Sequence, residues 1–141
     1  IALANALEKA GLIGMLGNWL AGFSGGSLIL LILVVATLSI FISEVMSNVA
    51  QVIVFAPVLT GIAEAIHMDP LLLGIPMTLA ASCASMMPMG TPPNAIVFSS
   101  GHIKLKEMLK AGFVMNVISI ILIVLASYFL LPLAMAIIPH L

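Results

Sequence analysis

The chain has 141 residues and a formal net charge of −1; it is 63% hydrophobic and only 6% charged, with a mean hydropathy of +1.35. A soluble domain carries about 25% charged residues, so this chain cannot clothe a water-facing surface and is expected to be an integral membrane protein. The charge balance leaves no basic face for nucleic acid, and a single cysteine, Cys83, excludes an intramolecular disulfide.

The chain opens at Ile1 in mid-pattern, with no basic start and no small-residue cleavage site of a secretory signal. Ile1-Ala2-Leu3-Ala4 reads as the tail of an earlier apolar helix. We therefore expect the C-terminal part of a longer protein. Residues 1–22 mix apolar residues with Asn5, Glu8, Lys9, Asn18 and glycines. Glu8 and Lys9 disfavour the bilayer centre, and Trp19 suits a half-wet interface. The segment predicts a helix end followed by an amphipathic interfacial helix over 5–20. The stretch 23–27 is a turn, with Ser27 as an N-cap.

Residues 28–42 form a continuous apolar run. Ser43, Glu44, Ser47 and Asn48 interrupt it, and a second run follows over 49–66. Crossing the hydrocarbon core takes about 20 helical residues, and the first run falls short of that. Two short arms meeting at a polar tip predict a re-entrant helical hairpin over 28–66, with its tip near the midplane; two spanning helices joined by an exposed turn are the alternative. Glu44 is the one acidic residue inside an apolar region. We read it as a carboxylate that hydrogen-bonds locally and orders the tip, since an ion-binding carboxylate normally has company.

Glu64, His67, Asp69 and Pro70 mark a wet turn, and Asp69-Pro70 suits a helix start. The next helix is expected over 70–87, with Pro76 as a kink. Pro88-Met89-Gly90-Thr91-Pro92-Pro93-Asn94 then places three prolines and a glycine in seven residues, and such a run cannot continue a helix. A short helix from Ala95 to about Ser100, ended by Gly101, completes a broken membrane helix over 70–101; a tight loop between two ordinary helices is the alternative. Unwound backbone at membrane depth is tolerated only inside protein or beside a watery cavity, and broken helices of this kind hold ions and substrates in secondary transporters. Residues 102–110 hold three of the four lysines and read as a cytoplasmic loop. The last membrane helix is expected over 108–138, thinned by Pro132 and Pro139. With the lysines inside, the hairpin dips in from the extracytoplasmic face.

The tip and the break could jointly hold a hard cation. They offer hydroxyls from Ser43, Ser47 and Thr91, amides from Asn48 and Asn94, and free carbonyls such as that of Gly90. An anionic substrate would find no Lys or Arg there, and helix N-termini would have to receive it. No Ser/His/acid set or metal-ligand spacing points to an enzyme. His67, His102 and His140 fall in loops or at the chain end and read as surface residues. Cys83 reads as a small buried hydrophobe and the ten methionines as packing.

The run from Ala81 to Val97, ASCASMMPMGTPPNAIV, resembles the signature of the divalent anion:sodium symporters, and SEVMSNV from Ser43 to Val49 resembles that family's Ser-Asn-Thr hairpin tip. The resemblance implies a C-terminal repeat of an inverted-repeat transporter: an all-α integral membrane protein in the cell membrane, missing its N-terminal repeat and forming a homodimer when full-length. It implies sodium as coupling ion, bound by Ser43, Met46, Asn48 and Gly90, with Met46 and Gly90 giving carbonyls. It implies a small divalent anion (dicarboxylate, citrate or sulfate) against Ser47, Asn48, Val49, Thr91 and Pro92. Val49 stands where the family usually has Thr, and Ser85 where Phe is common. The other readings are a proton-coupled or exchanging carrier and a structural membrane subunit.

Overall fold

The computed structural model describes residues 27–137, together with Gly11, Met15 and Gly22. The expected interfacial helix and most of the turn after it lie outside the described residues, as does His140. Among the described residues all regular structure is helical: α1 Leu28–Ser43, α2 Asn48–Ala65, α3 Leu71–Ala81, α4 Pro92–Ser99 and α5 Leu105–Ile137.

α1 and α2 run antiparallel from a four-residue tip, with Gln51 Nε2 donating to the carbonyl of Ser39 at 3.0 Å. α3 lies between the two arms and packs on both, α1 more extensively. The α1–α3 pair is parallel and in register. Ser39 Oγ donates to the carbonyl of Met77 at 2.7 Å, and one turn later Ser43 Oγ donates to that of Ala81 at 2.6 Å. α5 runs antiparallel to both. One cluster joins Leu31, Val35, Val58, Leu59, Ile62, Leu73 and Met77 across α1, α2 and α3. A second joins Ala36, Ile40, Ala80, Ile120 and Ile123 across α1, α3 and α5.

Helices in lipid gain little from hiding apolar surface from one another, so close contact through small residues carries more of the packing. Ala36, Ala80, Ala81 and Ala84 are buried at these crossings. At Gly112 of α5 a β-carbon would stand only 2.5 Å from Met86 Cα and from the Ser85 carbonyl oxygen. The opposite faces stay apolar: Leu33, Leu38 and Phe41 of α1, and Phe113, Ile121, Leu122 and Phe129 of α5, are all exposed. A helix apolar on every side belongs in a large core or a membrane. α2 and α5 are long and apolar enough to cross a bilayer, whereas α1 and α3 are too short.

Several boundaries differ from the sequence reading. Ser27 sits at the N-cap of α1, but its hydroxyl makes no capping bond. Asp69 does cap: its Oδ1 accepts the Leu71 amide at 2.8 Å. α2 ends with His67 at φ 56°, where the amide of His67 donates to Glu64 and that of Met68 to Ala63. This is the Schellman arrangement, with His in the left-handed position that Gly usually fills. The lysine-rich stretch is not all loop. α5 begins at Leu105, and Glu107 Oε2 accepts the Lys104 amide at 3.0 Å, one arm of a capping box. At its far end α5 continues through Pro132 to Ile137, in line with the expected end near 138. Cys83 is half-buried, and Met89 and Met115 are exposed rather than packed.

Candidate functional site

α3 stops at Ala81, well before the prolines that the sequence reading held responsible. The unwound segment covers residues 82–91. Its cause lies in the hairpin tip. In a continuing helix the amides of Ser85, Met86 and Met87 would donate four residues back. Instead they donate to Glu44: Ser85 and Met86 to Oε1 at 3.0 and 2.9 Å, and Met87 to Oε2 at 2.8 Å. Ser43 takes the last carbonyl of α3 in the same way. Pro88 then keeps Met87 out of helical conformation, and Asn94 Nδ2 bridges the carbonyls of Ala84 and Met87 at 3.3 and 3.2 Å.

Glu44 therefore does not bond locally, as its sequence context suggested. It reaches across to the break and to α5, where Asn116 Nδ2 donates to Oε1 at 2.7 Å. Asn116 Oδ1 in turn accepts the Ser85 hydroxyl at 2.9 Å. Asn116 and Glu44 are buried, and no cation is needed to satisfy the carboxylate, because four N–H groups surround it. The sequence carried a signal for Asn116, a lone amide in the longest apolar run, where polar side chains are costly unless used.

Around this anchor the tip and the break face each other. Ser47, Asn48 and Val49 line one side of a cleft, with Gly90, Thr91 and Pro92 on the other and residues 82–85 between them. Ser43 is fully buried beneath it. The Ser43 hydroxyl stands 2.5 Å from Asn48 Oδ1 and 2.6 Å from the Ala81 carbonyl, yet it has one proton. Donation to Ala81, with the Asn48 amide turned over so that Nδ2 donates to Ser43 Oγ, satisfies all three groups. It also frees Asn48 Oδ1 as an oxygen ligand; amide orientation is assigned from such networks. A β-carbon on Gly90 would lie 3.5 Å from the Ser43 carbonyl oxygen, so the two backbones nearly touch. The carbonyls of Ser43, Met46 and Gly90 accept no hydrogen bond from any described residue. Met46 is half-buried and its side chain does not line the cleft.

Two helix N-termini open on the cleft and differ in kind. Ser47 caps α2 by accepting the Ala50 amide at 3.2 Å, which leaves the Asn48 and Val49 amides unengaged among the described residues. α4 starts with Pro92 and Pro93, which have no amide proton. Its cap, Thr91, accepts Asn94 N only at 3.5 Å, too long to occupy the hydroxyl fully. Val49 projects openly, 70% exposed. No Lys or Arg lines the cleft. His67 and His102 are exposed, as expected of surface histidines.

A sequence profile described as the sodium:sulfate symporter transmembrane region matches residues 1–136. A protein of Staphylococcus saprophyticus named sodium-dependent dicarboxylate transporter SdcS is 42% identical over 132 residues, covering 94% of this chain and 25% of that protein. Its namesake in Staphylococcus aureus strain MRSA252 is 42% identical over 137 residues, covering 97% of this chain and 26% of that protein. The chain thus spans about a quarter of the length of the curated relatives it matches.

Proposed function

The chain belongs to the sodium:sulfate symporter family, and from that premise we propose that it forms the C-terminal half-site of a sodium-coupled symporter for a small divalent anion. The observation that carries the reading is the meeting of tip and break, chain segments some forty residues apart, around one cleft. Sodium is cargo here, taken by neutral oxygens: the Ser43 hydroxyl, Asn48 Oδ1, and the carbonyls of Met46 and Gly90. Anion and cation then sit side by side. The substrate is received by the free amides at the start of α2, the Ser47 and Thr91 hydroxyls and the Pro92 turn, with Val49 at its edge. With no basic side chain in the cleft, part of the anion's charge must be balanced by the ion itself. That is a physical reason for the two to travel together.

Depth supports a re-entrant hairpin. The tip stands level with residues 112–116 of α5, where Asn116 bonds Glu44. Asn116 is about 9 Å along α5 beyond Lys110, the last charged residue of its start, at 1.5 Å per residue, and so lies within a hydrocarbon core about 30 Å thick. The proton-coupled alternative is weakened by Glu44, whose oxygens are already held by N–H donors and which leaves the tip without a spare carboxylate. The apolar outer faces of α1 and α5 fit lipid or the N-terminal repeat. The second substrate wall, the cell membrane as location and a homodimeric assembly complete the reading. Reconstituted full-length protein should take up labelled succinate or sulfate only with an inward sodium gradient. Equal uptake in choline would overturn the proposal.

A further inference from the structure

Glu44 and Asn116 touch neither the proposed ion nor the proposed substrate, yet they stand where the two halves of the ion site are joined. The Glu44 carboxylate holds three consecutive amides of the break, and the residue before it, Ser43, supplies a ligand oxygen from the tip. A β-carbon on Gly90 would lie 3.3 Å from Glu44 Oε2, so the same carboxylate also abuts the second ligand segment. Asn116 closes the arrangement from α5. Its Nδ2 donates to the carboxylate and its Oδ1 accepts from Ser85, so the amide has only one satisfactory orientation. Every donor at Glu44 is an N–H and every oxygen an acceptor, the pattern of a carboxylate. Asn116 is 0% exposed, so its bonds to Glu44 and Ser85 are made within protein, away from competing solvent.

We propose that Glu44 and Asn116 are positioning residues that set the separation between the Ser43 and Gly90 ligands and thereby the sodium affinity of the site. The inference rests on the sodium-coupled reading above. A binding constellation has to be held within about 0.5 Å of its working geometry by groups that are themselves locked. Here the lock is a buried carboxylate shared among the tip, the break and α5.

The test uses the full-length protein and three variants in proteoliposomes. Asn116→Ala removes one donor and one acceptor and no charge. Asn116→Asp sets two carboxylates face to face. Glu44→Gln keeps the side-chain shape but sets an NH2 group against at least one of the three amides. We expect Asn116→Ala to raise the half-saturating sodium concentration at least fivefold, with substrate KM at saturating sodium changed less than twofold. Asn116→Asp should be worse, and Glu44→Gln should also raise it at least fivefold. Unchanged sodium dependence in both Asn116 variants, or in Glu44→Gln, would overturn the proposal.

A second readout needs no transport and decides the matter when a variant fails to transport or the unaltered protein shows no sodium dependence, an outcome that sinks the symport reading alone. Cys83 is free and half-buried beside the cleft. In a background with any other cysteine replaced, its maleimide labelling should accelerate at least fivefold in detergent-solubilised Asn116→Asp protein, or in Asn116→Ser where Asn116→Asp does not accumulate. An unchanged labelling rate would mean that tip and break stay together without the clamp, and the proposal falls.

Discussion

Ser43 Oγ lies 2.6 Å from the carbonyl oxygen of Ala81, the last residue of α3, and this contact places the hairpin tip level with the point where the broken helix unwinds. Beside it, Glu44 takes the amides that would otherwise continue the helix. The break is thus made by its partner as much as by its own prolines. A carbonyl and three amides freed by the unwinding are all satisfied by two adjacent side chains of the tip, which removes most of the cost of open backbone in an apolar setting.

Sodium dependence should respond to Asn48. Asn48→Ala removes the amide that pairs with Ser43 and the oxygen that this pairing frees for an ion. Uptake titrated against sodium should show a half-saturating concentration raised about tenfold, the loss of one hydrogen bond or ligand worth about 1.4 kcal/mol. An unchanged titration would make Asn48 a structural residue.

Val49 is the place to probe substrate choice. Val49→Thr keeps the side-chain volume and adds one hydroxyl at an exposed position beside the cleft. A hydrogen bond to a charged group contributes about 1.5–3 kcal/mol, roughly a tenfold to hundredfold gain in affinity. Transport competition with succinate, citrate and sulfate should show tighter binding of at least the dicarboxylate. Identical affinities for all three would assign Val49 to packing.

The two close-packed glycines should differ in tolerance. At Gly112 an added β-carbon meets backbone atoms of the break at 2.5 Å, whereas at Gly90 its nearest neighbour is the Glu44 side chain at 3.3 Å. Overpacking against main chain forces the backbone to shift and costs about 1–3 kcal/mol. Thermal unfolding of the full-length protein in detergent should therefore fall clearly for Gly112→Ala and less for Gly90→Ala. The reverse order would contradict the packing of α5 on the break.

His67 offers a change in the stabilising direction. A non-glycine residue in left-handed conformation costs about 1 kcal/mol, and the side chain is exposed. His67→Gly should raise the melting temperature of the full-length protein by about a degree without altering transport. A drop would mean that the imidazole makes a contact worth more than the strain.

Topology is open to labelling. Cysteines placed at Ser27 and His67 should react from the same, extracytoplasmic side, and one at Lys106 from the cytoplasmic side. Reaction at Ser27 and His67 from opposite sides would convert the hairpin into two spanning helices.

The polar interruptions were legible because an apolar chain leaves few places for Ser43, Asn48, Thr91 or Asn94 to hide, and the prolines mark broken backbone directly. That tip and break could share an ion followed from their oxygen-rich composition, but which residues meet there was implied only by family resemblance; no periodicity in either segment encodes it. Three features escaped for physical reasons. The early end of α3 at Ala81 depends on acceptors supplied from about forty residues away, which local propensity cannot register. The role of Glu44 was misplaced because its partners are backbone amides, and these carry no residue identity to search for. The start of α5 inside the lysine-rich stretch was hidden by charge, although Glu107 three residues after Lys104 carried half of a capping box.

The grip of α1 on α3 has a consequence for how this region tolerates change. Ser39 and Ser43 both end on main-chain carbonyls, at Met77 and Ala81, so the donors read spacing and are blind to the side chains they meet. Alanine or leucine at 77 would present the same carbonyl. A deletion of one residue between 71 and 76 would turn the rest of α3 by about 100° relative to its start and carry both carbonyls away at once. For these two bonds the side chains at 77 and 81 are immaterial and the length of α3 ahead of them is not, so the helical register is itself the recognition element.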